Sequence, residues 1–484
     1  LDETLLLSEA PEPLLGSFDP DYLQLPKEVV LALLGKVKIF GLEGKDGKLK
    51  PGFLTIVQAP VGKAARGNIR GGYERLVAAK LFDAKFFWDQ DQRKPLEEYA
   101  QKLKGIVFSK ELGTLWDKVE RVRAGSRAVA GFFAAGAPPL AGRAAPAPPA
   151  RGAADAHSAE IDRVALLYKA DLATTLVGEY ADLAGRVGSF YAQASGEPAA
   201  VVAALKDASA ATLGEGASVI AAVVAVVDRL DTLLAQFAIG NRPQAKEDPL
   251  GLKKTADSVI DIFSRFSKHG SLKEVIGVLG NSSKAAPDLL EFLRGRLALR
   301  LGEKGYAPDR VQAVVSVERS AGLPVRDIEA TLAAFSSLEG DSQEAIASLS
   351  QTFKRAANIL KQSAGDPPLA GRASPEALRR GATEQKVVYN GNIDVALFKD
   401  PAEAALWERL SQIEGRFEQD LKVGGYRDAL KRLAGLAQPL EDFFKGVMVL
   451  CDDQDLKKNR LALLAKLHRL VLQVLDPSKL TLKG

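Results

Sequence analysis

The sequence predicts a mainly α-helical protein of several domains, with a small mixed α and β block at its N-terminal end. Three observations support this prediction. The chain has 484 residues, more than one hydrophobic core usually supports. Apolar residues recur every three or four positions through most of its length, which is the spacing of helices with one buried face. Two stretches rich in Ala, Pro and Gly interrupt that pattern and divide the chain.

The first block, residues 1–130, is predicted to contain both strands and helices. Extended and turn signals lie around Phe18 to Pro26, and helices follow. The sequence KDGK at 45–48 predicts a hairpin turn between strands at 37–41 and 53–58, because Asp-Gly tolerates the positive φ that such turns need. The block is therefore expected to be an α+β region.

Linkers are predicted at residues 131–158 and 362–391. Their central parts, 136–154 and 364–381, consist almost wholly of Ala, Pro, Gly and Arg. Segments of this composition bury too little apolar surface to offset the entropy lost on ordering. We expect both linkers to be mobile.

Residues 159–361 and 392–484 are predicted to form two helical blocks. Ala, Leu and Val recur there at helical spacing, with Gly or Pro between the helices. The last helix is expected to bury one apolar stripe. That stripe consists of Leu461, Leu464, Leu467, Val471 and Leu475.

Several classes of protein and site are disfavoured by composition. The single cysteine, Cys451, excludes an internal disulfide framework and fits a reducing compartment. The three histidines, His157, His269 and His468, are far apart in sequence, so we expect no histidine-based metal cluster. The sequence has no phosphate-binding loop of the GxxxxGK[ST] type, no HExxH and no paired CxxC, so we predict no catalytic residues in this chain.

A membrane protein is not expected. The longest apolar run, residues 217–227, is too short to span a bilayer, which predicts a soluble protein. The chain starts at Leu1 without a basic and apolar leader, and we expect it to be a fragment or a processed product.

The net charge of +4 is unevenly distributed. Residues 61–127 carry 15 Lys and Arg against 9 Asp and Glu, and residues 421–484 carry 12 against 7, while the rest of the chain is acidic. Two basic regions suit a long polyanion that touches the protein at more than one place. Surface lysines that only maintain solubility explain the charge equally well.

Three aspartates, Asp171, Asp228 and Asp231, lie on helix faces that are otherwise apolar. Buried carboxylates need partners, which metal ions, cations or backbone amides can supply. A helical metal-dependent phosphohydrolase would add an adjacent His-Asp pair, which this sequence lacks. We therefore expect structural aspartates, satisfied by Arg229, Lys169 or helix N-termini.

The C-terminal block contains the best candidate for a binding site. Aromatic and basic residues cluster there, and such side chains can stack on loop bases and hold phosphates of single-stranded RNA. Aromatic residues in such a cluster are also often core residues, and we expect at least one of the two phenylalanines to be buried. The candidate RNA-binding residues are Phe443, Phe444, Lys457, Lys458, Asn459 and Arg460.

Short motifs in a characteristic order resemble one family. The first block contains LFDAKFFWD at 81–89, KPLEE at 94–98, GIVF at 105–108, LGT at 112–114 and DKVER at 117–121. The later blocks contain KADL at 169–172, VGEY at 177–180, DRLDT at 228–232, FAIG at 237–240, DP at 248–249, KRAANIL at 354–360, PLEDFF at 439–444, VMV at 447–449 and KNRLALL at 458–464. Over nearly all of the chain outside the linkers, this series resembles the β subunit of bacterial-type glycyl-tRNA synthetase.

The resemblance implies a fold and a function for each block. It implies an editing-like first block, a central degenerate HD-like helical domain in which Asp171, Asp228 and Asp231 remain without the histidines, and a C-terminal helical anticodon-binding bundle. In this family the β subunit binds tRNA-Gly, and an α subunit or fused α domain uses ATP and Mg to make the glycyl-adenylate. The β portion itself is expected to hold no cofactor or metal.

The resemblance also implies a location and leaves an alternative function open. The segments LKGIVF at 103–108 and PLEDFF at 439–444 are closest to the plastid form, which predicts the plastid stroma, with a bacterial-type cytoplasm as the alternative. The family's HHQKYF and GNERV appear here as LGKVKIF at 34–40 and GYERL at 72–76. This loss of polar groups fits a catalytically silent structural component of a larger, organellar complex, and a relic metal phosphohydrolase is a third hypothesis.

Overall fold

The structure is a computed structural model. It describes residues 11–57, 62–133, 157–210, 212–244, 247–268, 270–280, 284–363 and 393–481. Its described residues form two compact units, one up to residue 240 and one from residue 241 onward. The compact units group the elements differently from the predicted segments, because the helices of residues 159–240 pack with the first block. The central stretches of both predicted linkers lie outside the described residues.

The first unit combines two small sheets with helices. Its elements are β1 (Glu12–Ser17), α1 (Lys27–Lys36), β2 (Phe40–Glu43), β3 (Leu49–Val57), α2 (Lys63–Asp91), α3 (Leu96–Lys102), β4 (Val107–Ser109), β5 (Gly113–Thr114), α4 (Leu115–Val129), α5 (Ser158–Leu167), α6 (Thr175–Glu179), α7 (Gly188–Ala194), α8 (Ala199–Ala208) and α9 (Val219–Ala238).

The predicted hairpin is confirmed. Strands β2 and β3 pair antiparallel, and Gly47 in the turn between them has φ +71°. Strand β2 begins later than predicted, because Ile39 still donates its backbone N–H to the Leu34 carbonyl at the end of α1. Strand β1, which pairs antiparallel with β3 on its other edge, was not predicted.

Helix α9 forms the centre of the first unit. It is apolar around most of its circumference, with the residues from Ile220 to Val227 buried. Helices α4, α5 and α8 pack against it. A helix that is hydrophobic on all sides belongs in a core, and the long apolar run noted in the sequence is therefore an internal helix. Among the described residues, no helix has the length and apolar character needed to cross a bilayer.

The second unit is helical throughout its described residues. Its elements are α10 (Leu252–Phe266), α11 (Leu272–Leu279), α12 (Ala286–Glu303), α13 (Pro308–Val315), α14 (Val325–Ser336), α15 (Asp341–Ser363), α16 (Pro401–Val423), α17 (Tyr426–Ala434), α18 (Ala437–Gly446) and α19 (Gln454–Val471). Helix α15 packs against α17, α18 and α19, and α16 packs against the same three helices. A mainly α, multidomain fold with a small N-terminal β component is thus confirmed.

Local sequence signals explain where several helices begin and end. The Ser271 and Glu274 side chains form a capping box at the start of α11, and Asp400 and Glu403 form another at the start of α16. Gly424, with φ +77°, ends α16. The predicted apolar stripe of the last helix is buried in full, although Leu475 lies beyond the end of α19.

Candidate nucleic-acid interface

Two of the three predicted aspartates bind cations from a helix far away in sequence. Lys118 on α4 is buried, and its Nζ lies 3.0 Å from Asp228 Oδ1 and 3.2 Å from Asp231 Oδ2. Arg121, one turn further along α4, donates from Nε to Asp231 Oδ1 at 2.7 Å and from Nη2 to Oδ2 at 3.1 Å. The Tyr168 hydroxyl donates to Asp228 Oδ1 at 3.0 Å. These contacts connect α4, α5 and α9 by charge as well as by packing.

The electrostatics of Asp228 follow from these neighbours. Burial by itself would raise the pKa of Asp228, but the Lys169 and Lys118 ammonium groups hold it well below its ordinary value. The expected partner Lys169 lies 3.8 Å from Asp228 Oδ2. The charge of Arg229, also expected as a partner, helps to lower the pKa of Asp228. The Arg229 guanidinium donates hydrogen bonds to the main-chain carbonyls of Ala225 and Ala210.

Asp171 has a different environment. Its side chain is almost fully buried, and Oδ2 accepts a hydrogen bond from the Gly185 N–H at 2.7 Å. Oδ1 has no hydrogen-bond partner among the described residues. Burial raises the pKa of Asp171 to about 6, against the lowering effect of the Gly185 N–H and of Lys169. This carboxyl group therefore keeps its proton to a higher pH than an exposed aspartate does.

The aspartates act as structural partners in this geometry. The residues that the structure describes contain no group of three or more His, Cys, Asp and Glu side chains arranged to hold a metal ion. Sequence reasoning missed Lys118 and Arg121, because they are more than 100 residues from Asp228 and Asp231. Their position within the motif DKVER at 117–121 was the available signal. The HD-type origin of this region stays a prediction.

The two phenylalanines of the C-terminal cluster are core residues. Phe443 is fully buried and Phe444 is 7% exposed. Their rings pack edge to face with centroids 5.5 Å apart, and the Arg355 guanidinium lies 4.6 Å from the centroid of the Phe444 ring. The expectation that at least one of the two phenylalanines is buried is confirmed, since both are. The geometry does not support base stacking by either ring. Both lie on the inner face of α18, where packing against α15 and α16 buries them.

Asn459 and Arg460 also bond within the protein. The Asn459 side chain donates to the Asp394 carbonyl and accepts from the Asp394 N–H, both at 2.8 Å. Arg460 donates to Glu403 Oε1 at 2.7 Å, and that pair is almost completely buried. A further bond runs from Arg460 Nη1 to the Met448 carbonyl at 2.9 Å. These side chains hold neighbouring segments in place, and the structure leaves them little surface for RNA.

The exposed part of the cluster is the loop of residues 447–453 and the start of α19. Val447 and Val449 point into the core, whereas Met448 is 74% exposed and Leu450 is 43% exposed. Lys458 is exposed at the start of α19. We call this surface, Met448, Leu450 and Lys458 together with the half-buried Lys457, the 448–458 surface. All four residues of 447–450 are apolar, so the sequence carries no signal that sets Met448 and Leu450 apart.

Comparison with known proteins gives two family matches. Residues 1–316 match a family model described as the glycyl-tRNA synthetase beta subunit, and residues 349–476 match one described as the DALR anticodon binding domain. The second match begins within α15. It therefore includes the predicted linker at 362–391 and starts earlier than the block predicted to begin at 392.

Individual relatives agree with the family matches. The chain is 33% identical over 489 residues to a protein of Janthinobacterium sp. (strain Marseille) and 34% identical over 495 residues to one of Dechloromonas aromatica (strain RCB). Both relatives are named glycine–tRNA ligase beta subunit. The alignments cover 99% of this chain, but 63% and 62% of the relatives, so the chain spans somewhat less than two thirds of their length.

Proposed function

Because this chain belongs to the glycyl-tRNA synthetase β-subunit family, we propose that it is the tRNA-binding portion of a glycine–tRNA ligase. In this role it positions tRNA-Gly for ATP-dependent glycylation by an α catalytic portion. The observation that carries the proposal is the match of residues 349–476 to an anticodon-binding domain, in the helical unit that exposes the 448–458 surface.

The 448–458 surface is suited to an RNA loop. Met448 and Leu450 offer apolar side chains against which an unstacked base can pack. The ammonium group of Lys458 lies 3.7 Å from Asp455 Oδ1, an exposed pair that holds the lysine weakly. Lys458 can therefore turn to a phosphate. Arg460 and Asn459 contribute by fixing the loop and the start of α19 from beneath.

The chemistry of glycylation is proposed to occur on the partner. An α subunit, or an α domain fused to this one, would bind glycine, ATP and Mg²⁺ and form the adenylate. This chain would bind the tRNA and present it to that site. Its own aspartates are used in ion pairs and backbone contacts, so we propose no reaction step on them.

Direct binding measurements test the proposal. The full chain should bind a glycine tRNA transcript more tightly than the same transcript with a changed anticodon. The double variant M448A/K458A should remove most of that difference. A matched variant, L15A/K45A, removes one exposed apolar and one exposed basic side chain of the first unit. This variant should keep the difference in affinity between the two transcripts. Equal binding to both transcripts by the unaltered chain overturns the proposed anticodon reading.

The cellular location is proposed from sequence likeness. The segments at 103–108 and 439–444 favour the plastid stroma, whereas the relatives named above are bacterial, which supports a bacterial-type cytoplasm as the alternative. The full-length transcript distinguishes the two. An upstream transit sequence that directs a fluorescent fusion to plastids supports the first location, and a transcript without one supports the second.

A structural role in a larger complex is the second candidate function. It is favoured by the segment LGKVKIF at 34–40, where Leu34 and Ile39 are each 2% exposed. Core residues thus occupy a segment in which the family's polar motif is expected. Purification of the native chain decides between the functions. Recovery with an α partner supports tRNA charging, whereas recovery in another assembly, without α and without affinity for tRNA, supports the structural role.

A further inference from the structure

The second unit contains a large cleft that is separate from the 448–458 surface. Its volume is about 1160 Å³, and its walls are the ends of several helices. The end of α10 and the beginnings of α11 and α14 form one side, and the end of α16 with the start of α17 forms the other. The cleft thus joins the helices of residues 252–336 to helices of the anticodon-binding domain. We call it the lysine cleft.

Three lysines of the cleft have no ionic partner among the described residues. Lys268, Lys273 and Lys422 all line it and are exposed. None of them forms an ion pair or a side-chain hydrogen bond with another described residue. Two of them come from the α10–α11 side and the third from α16, so their ammonium groups stand on both sides of the space. An ammonium group in this setting is available for an anion from outside.

The other charged groups of the cleft are largely occupied. Arg319 donates to the Leu421 carbonyl and the Tyr426 hydroxyl, and Arg326 donates to the Ser267 carbonyl. Glu274 accepts two hydrogen bonds from Ser271 within the capping box of α11. The remaining carboxylates are Asp327, which lies 3.7 Å from Arg319, and Glu418. With five cations against three acids, the cleft retains a positive charge.

The geometry points to the lysine cleft as a binding site for the phosphodiester backbone of RNA. This inference rests on the proposed function and assigns a second contact to the same tRNA. The only aromatic lining residue, Tyr426, is 5% exposed, so the described lining offers no ring on which a base can stack. The unpaired cations can neutralise phosphates, a contact that carries no base specificity. The cleft would therefore hold a stem, while the 448–458 surface reads a loop.

The triple variant K268A/K273A/K422A tests the inference, measured by the affinity of the full chain for glycine tRNA over a range of salt concentrations. Each lost phosphate contact reduces the slope of log affinity against log salt by about 0.7–0.9. We expect a slope smaller by about 2 and an affinity at low salt reduced roughly tenfold or more. The loss should be the same for tRNAs with different anticodons. The control K45A/K48A/K50A removes the same charge from the hairpin of the first unit, where these lysines are exposed and form no ion pair with any residue that the structure describes. This control should leave slope and affinity unchanged.

The outcomes separate this inference from the proposed function. If the unaltered chain does not bind RNA, the proposed function fails and the inference fails with it. If it binds RNA and the cleft and hairpin variants behave alike, only the inference fails.

Calorimetric titration with inorganic phosphate provides a second test of the cleft. Phosphate binding that the cleft variant loses, together with unchanged RNA binding, would assign the cleft to free phosphate and overturn the RNA assignment. Thermal melts of both variants should match the unaltered chain, since all six lysines are exposed.

Discussion

Charged side chains of the anticodon-binding domain differ in role according to burial. Arg460 and Lys458 are two positions apart on α19, yet Arg460 is 7% exposed and bound to Glu403, whereas Lys458 faces solvent. A charge enclosed by the protein stabilises the fold only while its partner is present. An exposed charge contributes little to stability and remains free for a ligand.

Arg460→Leu should therefore destabilise the second unit without a specific loss of RNA contact. The substitution leaves the Glu403 carboxylate buried without its cation, which costs about 3–5 kcal/mol. Thermal and urea unfolding measure the loss. RNA affinity, compared at a temperature where the variant is folded, should stay within about twofold of the unaltered chain. Lys458→Ala should show the reverse pattern, and a stable Arg460→Leu variant with weak RNA binding would restore Arg460 as a contact residue.

Asp171 gives a prediction with a defined pH window. Its pKa is raised from 3.8 to about 6 by burial, so the folded state binds the proton more tightly than the unfolded state does. The stability from this group is complete below pH 3.8 and is lost as the pH rises towards 6. The Asp171→Asn variant has a neutral side chain here, so it does not lose stability as the pH rises. The Tm of this variant, relative to that of the unaltered chain, should increase between pH 4 and pH 7. The corresponding increase in its relative free energy of unfolding is on the order of 2–3 kcal/mol.

Matched substitutions make that pH dependence interpretable. Asp182→Asn changes a nearby exposed carboxylate and should give a Tm difference that is nearly independent of pH. A Tm difference for Asp171→Asn that is also flat, or that falls as the pH rises, would show that Asp171 is ionised at little cost in the folded protein.

Single residues also show what the sequence can predict. Gly47 in the β2–β3 turn was predictable, because an Asp-Gly pair between apolar segments specifies local geometry. The burial of Phe444 was not, because Arg355, which covers its ring, lies 89 positions away. The outward position of Met448 and the inward position of Val449 were not predictable either, because residues 447–450 are all apolar and lie outside the helices.

At the level of elements, Lys118 connects α4 to α9. Its Nζ contacts Asp228 and Asp231 and donates to the Thr232 hydroxyl at 2.7 Å. Because the lysine is 3% exposed, these contacts are poorly screened by solvent. The ion pairs therefore add specificity to an interface whose packing is otherwise apolar.

Lys118→Met should lower the free energy of unfolding by about 3 kcal/mol, the lower end of the range for removing one partner of a buried ion pair. The substitution keeps the volume of the side-chain stem but removes the cation that both carboxylates share, leaving Asp231 with Arg121 and Asp228 with the more distant Lys169. Adding Asp228→Asn should restore part of the loss, and a double-mutant cycle should give a coupling free energy of about 1 kcal/mol or more. Lys110→Met, on an exposed turn, serves as control. Strict additivity of the two substitutions would show that the ion pair does not stabilise the α4–α9 contact.

The elements themselves were predicted with uneven success for a physical reason. Helices with a periodic apolar stripe, such as α19, and the β2–β3 hairpin are specified by residues close in sequence. Strand β1 depends on pairing with β3, some 40 residues later. The packing of α4 on α9 also brings together distant segments. The spacing of apolar residues within each helix does not predict which other helix it packs against.

For the whole molecule, the compact units group the helices differently from the predicted segments. Composition shows where a chain is poor in core residues, and it predicted the linkers at 131–158 and 362–391. It does not show which helices share a core. Helices α5 to α9 complete the core of the first unit, and the anticodon-binding family match continues through the second interruption. Each unit also contains one of the two basic regions found in the sequence, which suits two contacts with one RNA.

Two compact units with separate cores should unfold in two calorimetric transitions. Lys118→Met alters only the core of the first unit and Arg460→Leu only that of the second, so each variant should lower one Tm, and the two should lower different ones. In the double variant each Tm should fall by the same amount as in the corresponding single variant, because the sites lie in different units. Lys45→Ala, on the exposed hairpin, should shift neither transition. A single transition that both substitutions shift together would show that the units unfold as one cooperative body, and would contradict the assignment of separate cores.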